Sequence, residues 1–369
     1  MPLDFHRNDW PSLGVEVELQ LVDKTTLELS NAYEVVHDGV PQALRDSVKP
    51  ELLRCYLEIN SKPCRTVSEI ESDLSEKVDA VVHSASEHGI RVFWGATHPF
   101  SRWQQQEITP NPRYYMLAER LKETLLRPVT FGMHVHVGVP SGEAAIRASD
   151  RLLPFLPMIL ALSCNSPFFN ARATGLHSNR VELLEGLPNG GLPPEFGSWD
   201  AYVRLFDQLK NSDSIQTSHE LWWDARINTE LGTLEVRVCD LPANLPSALG
   251  LTALIQCLVW SFAFEETGKT TWAPEMHQVL IRQNRWRAAR FGMGAEFVDP
   301  WTLRPVAARD LLAHLIDHLM PAARQLGCVA ELTHAAEMVR GHSGAEQQLA
   351  LFDETGDLTE VVRRLSVGG

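Results

Sequence analysis

Three short stretches carry acids, imidazoles or a guanidinium in alternation with apolar residues. Gly14–Leu19 sets Glu16 and Glu18 against Val15 and Val17. Thr130–Gly138 ends by setting His134 and His136 against Val135 and Val137, and Thr233–Val238 sets Glu235 and Arg237 against Leu234 and Val236. Strand side chains alternate with a period of two, so each stretch predicts a strand with one apolar and one charged face. The plain alternative is an antiparallel strand whose polar side faces water. If the three share a sheet, that face becomes a dense cluster of oxygen and imidazole ligands.

Further acids extend the set. Lys49–Cys64 reads as another strand, with Glu58 and Asn60 on one face. Glu51 lies an odd number of residues before Glu58, so the two share a site only if the chain bends or bulges between them. Glu16, Glu18, Glu51, Glu58 and Glu235 on one surface would repel one another, which demands raised pKa values or bound divalent cations. Carboxylates with an imidazole suit Mg²⁺ or Mn²⁺ better than zinc, and such ions in a cleft serve phosphoryl transfer from ATP. Arginines would balance the charge that develops. Trp222, Asp224, Arg226 and Asn228 alternate onto one face, and Thr174–Arg180 is a Gly-bearing loop that ends in Arg180. The chain has neither GxxxxGK[ST] nor GxGxxG, so a P-loop or Rossmann cofactor site is not supported.

The elements that must position these residues follow from the pattern. Strands are expected at Ser12–Val22, Lys49–Cys64 and Arg91–Ala96, then through the histidine stretch. Beyond it, Gly232 predicts a hairpin between the Arg226 and Glu235 strands. Helices are expected at Asn31–Ser47, Thr66–His88, Asn111–Leu126, Ser141–Leu162, Trp199–Lys210 and Leu245–Glu265, the last as the core spine. Glu275–Arg290, Val306–Leu326, Ala330–Arg340, Gly344–Phe352 and Leu358–Leu365 make the last hundred residues read as all-helical and without a site. No repeat or low-complexity tract is seen.

The 369 residues are 44% hydrophobic and 22% charged, an ordinary globular composition. We read them as a single catalytic domain, 1–369, with a sheet-bearing part at about 10–265 and a helical part at about 270–369. A net charge of −14 argues against nucleic acid or an anionic membrane as partner. The six cysteines are scattered without a CxxC pair, which suggests reduced thiols in a cytoplasmic protein. The N-terminus has no apolar signal core, and no membrane span is expected.

Taken together, these segments resemble the bacterial carboxylate–amine ligases of the type-2 glutamate–cysteine ligase family, relatives of glutamine synthetase. The resemblance runs in order through Leu13–Val22, Glu51-Leu52, Glu58–Cys64, Gly95–Pro99 and Gly132–Gly138. It continues through Asn165–Pro167, Thr174-Gly175, Ser178–Arg180, Leu187-Pro188, Trp222–Arg226 and Gly232–Val238. The family's usual threonine after Glu58 is Ser61 here, which keeps the hydroxyl.

The resemblance implies an α+β fold, a curved, mostly antiparallel sheet with the site on its concave face and helices behind. It implies ATP-dependent activation of a glutamate-like acid through an acyl phosphate, which an amine such as cysteine then displaces. By the same matching, Glu18, Glu51 and Glu58 would hold one Mg²⁺, and Glu16, His134 and Glu235 would hold the ion or ions at the ATP phosphates. Arg226 and Arg237 would face the transferring phosphoryl group, Arg180 the substrate carboxylate or phosphate, and His136 would line the nucleotide side. Relatives are often oligomeric, and the apolar helices after residue 245 offer surface for a homodimer. Two alternatives use the same residues: a metal-dependent hydrolase, and a non-catalytic nucleotide- or metabolite-binding protein.

Overall fold

The computed structural model describes residues 3–264 and 275–368. Its main sheet is wholly antiparallel and has eight strands: β1 (Leu13–Asp23), β2 (Val48–Pro50), β3 (Tyr56–Asn60), β4 (Ile90–Phe93), β5 (Met133–Gly138), β6 (Ala225–Asn228), β7 (Thr233–Val236) and β8 (Ser366–Val367). The order is β6–β7–β5–β1–β3–β2, with β4 paired to β1 and β8 to β4. β1 is long enough to meet three partners. Leu13–Val17 pairs with β5, Glu16–Gln20 with β3 and Gln20–Asp23 with β4.

The alternation expected from the sequence sorts the two faces. Val15, Val17, Val135, Val137, Leu234 and Val236 are fully buried on one side. The helix Leu245–Ala263 packs on β5 there, and the helices Gly142–Leu152 and Val329–Arg340 pack on it in turn. Asn244 caps that helix by accepting from the Ser247 amide at 2.9 Å. Residues 245–263 hold no charged side chain and are long and apolar enough to cross a membrane by length and composition alone, yet 78% of the window is buried inside this fold. It is the core spine. The expected end of this helix at Glu265 lies outside the described residues.

Several elements are shorter than the periodicity suggested. The helix expected at Asn31–Ser47 is two, Tyr33–Gly39 and Gln42–Arg45, because Pro41 cannot continue the first. Asn111–Leu126 is likewise broken at Lys122, whose φ is +51°. Pro154 and Pro157 divide Ser141–Leu162 around a 3₁₀ turn at Leu153–Phe155. The strand expected over Lys49–Cys64 is a hairpin: β2 and β3 pair antiparallel, with Glu51 in the connection. This turn, rather than a bulge, brings Glu51 back beside Glu58.

The C-terminal part is not all-helical. Glu296–Val298 and Pro305–Ala307 form a small antiparallel hairpin, and β8 joins the main sheet. Short strands escape a helix-period reading because two or three residues show no period. All six cysteines are buried and unpaired, and the Cys257 and Cys328 sulfurs lie 3.7 Å apart.

Candidate active site

Register places the charged side chains in adjoining rows across the sheet. Glu16 stands opposite His134 on β5 and Asn60 on β3. Glu18 stands opposite Glu58, Glu235 opposite His136, and Arg226 opposite Glu235. Glu16, Glu18, Glu58, His134, His136 and Arg226 line a cavity of about 360 Å³, together with Glu51, Tyr56, Tyr114, Arg180, Trp222 and Arg237, while Glu235 is buried behind that surface.

Glu16 is the hub. His134 donates from Nδ1 to Glu16 Oε2 at 2.9 Å. His136 Nε2 lies 3.2 Å from Glu16 Oε1 but out of line for a hydrogen bond, so this buried atom has no true partner. The other nitrogen, Nδ1, is 3.0 Å from the Thr233 hydroxyl. His136 Nε2 is also 3.9 Å from Glu235 Oε1, so both histidines, not His134 alone, point at the acids.

Glu235 is completely buried and held by two guanidiniums. Arg226 grips it bidentately at 2.9 and 3.0 Å, and Arg237 donates to Oε1. A carboxylate has about four lone-pair positions, so one remains, on Oε2, whereas Oε1, the oxygen nearer His136, already accepts twice. Glu18 accepts from the Gly132 amide and Glu51 from the Leu52 amide at 3.3 Å.

Charge is unevenly compensated across this floor. Burial pushes the Glu16 carboxyl up, but the two imidazoles outweigh it and hold it well below its ordinary value. Glu235 is likewise held down by Arg226 and Arg237 against burial. Glu51 and Glu58 have no such partners. Burial, then Glu18 and Glu16, pushes Glu51 up to about 8. Burial, then Glu16, Glu51 and Glu18, pushes Glu58 well above the carboxylate range. Burial and Arg237 lower His134, whereas Glu235 and Glu16 raise His136 despite burial.

Among the described residues, two groups present ligand atoms within 4.8 Å of one another: Glu16, His136 and Glu235, and Glu16, Glu58 and His134. Carboxylate-rich sets with one imidazole, and an orphaned buried imidazole nitrogen beside them, fit Mg²⁺ or Mn²⁺. Glu18 and Glu51 line the same cavity but fall outside both groups.

Arg180 lies beneath the floor. It is 3% exposed, its Nη2 donates to the Arg237 carbonyl at 3.2 Å, and its Nε has no partner. A Cβ at Gly132 would collide with this guanidinium and force it to shift.

Two residues of consequence, Asp240 and Arg285, are absent from the sequence reading, and Asp224 is placed there on the Arg226 face without a role. Asp240 accepts from the Asn165 amide at 2.8 Å, the Ser166 hydroxyl at 2.7 Å and the Ser178 hydroxyl at 2.8 Å, assembling the loop that carries Arg180. Asp224, on the cavity wall, is gripped by Arg285 at 2.6 and 3.1 Å, so the C-terminal part does reach the site. Asp240 stands directly beside the Thr233–Val238 stretch, which was the available signal; Arg285 had none. His98, within the resembling Gly95–Pro99, is structural: Nε2 donates to the Leu27 carbonyl at 3.0 Å, Nδ1 accepts from the Ser101 amide at 3.0 Å, and burial lowers its pKa to about 3. The Ser61 hydroxyl accepts from the Val15 amide at 2.9 Å and so fixes β1 rather than a ligand.

This mixed helix and antiparallel-sheet architecture is shared with solved ligases. The crystal structure of a glutamate–cysteine ligase from Francisella tularensis in complex with AMP superposes with a TM-score of 0.71 at 13% identity, covering 98% of this chain and 89% of that one. A bifunctional glutathione synthetase from Pasteurella multocida gives 0.70 at 15% identity, over 96% of this chain and 51% of that one. The chain belongs to glutamate–cysteine ligase family 2, whose model matches residues 12–365. Its relatives include the Gloeobacter violaceus protein named "Putative glutamate--cysteine ligase 2", 36% identical over 100% of this chain and 99% of that protein. Another is "Putative glutamate--cysteine ligase 2-1" of Rubrobacter xylanophilus, 39% identical over 100% of this chain and 97% of that protein.

Proposed function

We propose that residues 1–369 work as one catalytic unit, an ATP- and Mg²⁺-dependent ligase that joins a glutamate-like acid to an amine, cysteine or another. The observation that carries this reading is the convergence of ligand atoms from Glu16, Glu58, His134, His136 and Glu235 on one face of the sheet, flanked by Arg226 and Arg237. Glu16 would be shared between two divalent-cation positions, one completed by Glu58 and His134, the other by His136 and Glu235, with Glu18 and Glu51 adjoining the first. The cations, when bound, supply charge neutralisation for phosphate oxygens.

The chain's own groups would do the rest. Arg237 and Arg226 are held in place by Glu235, so their remaining N–H groups need no reorganisation to meet charge developing on a transferring phosphoryl group. Arg180 would orient an oxyanion from below. The γ-phosphoryl of ATP would pass to a carboxylate oxygen, releasing ADP, and the amine would then attack the acyl carbon, releasing phosphate.

The test is phosphate release measured over glutamate with a panel of amines. We expect release to require ATP, an acid and an amine together, and Glu16→Gln to abolish it while the protein stays folded. Full turnover in Glu16→Gln, or release that needs no amine, would refute the reading.

A further inference from the structure

Two cationic or donor side chains stand at the cavity mouth without partners. Arg113 lies in the first turn of the helix Pro112–Leu121, where Asn111 caps the helix by accepting from the Arg113 amide at 2.9 Å. His219 lies in the 3₁₀ turn Ser218–Glu220. Both line the cavity and both are exposed. Neither side chain makes a hydrogen bond or ion pair among the described residues. An unpaired guanidinium is unusual around a site so rich in acids, where the other lining arginines all have protein partners.

The two elements that carry them are fastened to each other. Arg120, on the Arg113 helix, pairs with Glu220, which is buried to 1% exposure beside His219. Glu220 also closes a capping box with Thr217 and accepts from the Gln216 amide at 3.0 Å. Leu117 and Leu125 form an apolar cluster with Leu187, separate from the main core, and Trp222 packs on it. The Tyr114 hydroxyl donates to the Pro50 carbonyl at 3.3 Å and ties the same helix to the β2–β3 connection. Arg113 and His219 are therefore held across the mouth by a fixed frame. His219 also feels both guanidiniums: after burial, Arg226 and then Arg113 lower its pKa. No carboxylate pairs with either side chain, although Glu235 and Glu230 act on His219 from a distance.

We infer that Arg113 and His219 form an anion-binding rim that takes an oxyanion of a substrate, carboxylate or phosphate, while its reacting end lies over the acids. This inference rests on the ligase reading. The guanidinium offers a planar fork to either oxyanion, and the imidazole N–H adds a second donor. The fork distinguishes the rim from a diffuse positive charge: Arg113→Lys keeps the charge and loses the paired geometry.

The experiment is calorimetric binding of ATP with Mg²⁺, and separately of glutamate with Mg²⁺, to the full chain, as wild type, Arg113→Ala, Arg113→Lys and His219→Ala. We expect Arg113→Ala to weaken one of the two ligands about tenfold and leave the other within twofold, Arg113→Lys to lie between, and His219→Ala to weaken the same ligand. A change in ATP affinity assigns the rim to phosphate, and a change in glutamate affinity assigns it to a carboxylate. Unchanged binding of both ligands in Arg113→Ala, with wild type binding normally, overturns the rim alone. Wild-type protein that binds neither ligand overturns the rim and the ligase reading together. Because both residues are exposed, thermal unfolding of the variants should match wild type, which separates lost binding from lost fold.

Discussion

Glu51 makes the uneven charge of the site measurable without any turnover. Its carboxyl is pushed from an ordinary 4.5 to about 8 by burial and by the charges of Glu18 and Glu16. A carboxyl with a raised folded-state pKa binds more protons folded than unfolded between those two values, so stability falls as pH rises through that window. At about 1.4 kcal/mol per pH unit the full interval would amount to about 5 kcal/mol. The side chain faces an open cavity rather than closed core, so we expect about 2 kcal/mol after solvent screening. For 369 residues, unfolding entropy of roughly 2.1 cal/mol/K per residue makes this about 2–3 °C in Tm. The assay is thermal unfolding in a chelator from pH 5 to 9, comparing wild type with Glu51→Gln. Glutamine carries no titrating proton, so the variant should match wild type near pH 5 and exceed it by about 2–3 °C above pH 8. Added Mg²⁺ should close the gap by stabilising wild type more. A wild-type curve parallel to that of Glu51→Gln across the window would refute the account.

Other perturbations probe other links. Arg285→Ala leaves the Asp224 carboxylate buried and unpaired, which should cost about 3–5 kcal/mol and lower Tm by about 4–6 °C in calorimetry. Gly132→Ala puts a methyl against the Arg180 guanidinium, and we expect phosphate release to fall at least about tenfold while circular dichroism is retained, with an overpacking cost of about 1–3 kcal/mol. Ser61→Ala orphans the Val15 amide and should lose about 1 kcal/mol in urea unfolding, whereas Ser61→Thr should lose almost nothing.

The β1, β5 and β7 stretches were legible because a strand with one buried and one charged face writes its period directly into the chain. Their valines are in the core and their acids and histidines face one another. What periodicity could not supply was everything set by turns. Pro41 and Lys122 split helices whose apolar spacing ran straight through them, and the hairpin that returns Glu51 to Glu58 is a property of its connection. Residues that act from outside the sheet were also silent. Arg285 reads as one more basic residue on a helix, and only the tertiary fold shows Asp224 beside it. Glu220 and Arg120 look like surface charges until the fold buries the acid.

The place of β1 in the sheet sets an order of events. It lies near the start of the sequence, yet its neighbours include β5, which in turn waits for β7, a strand made more than two hundred residues after β1. A nascent chain that has made only β1 to β4 therefore displays Glu16 and Glu18 with neither histidine nor arginine to balance them. Pairings between such distant segments are slow to find. Until β5 is made, β1 therefore stays open along one edge, and β5 in turn stays open until β7 follows, a natural point for chaperone engagement.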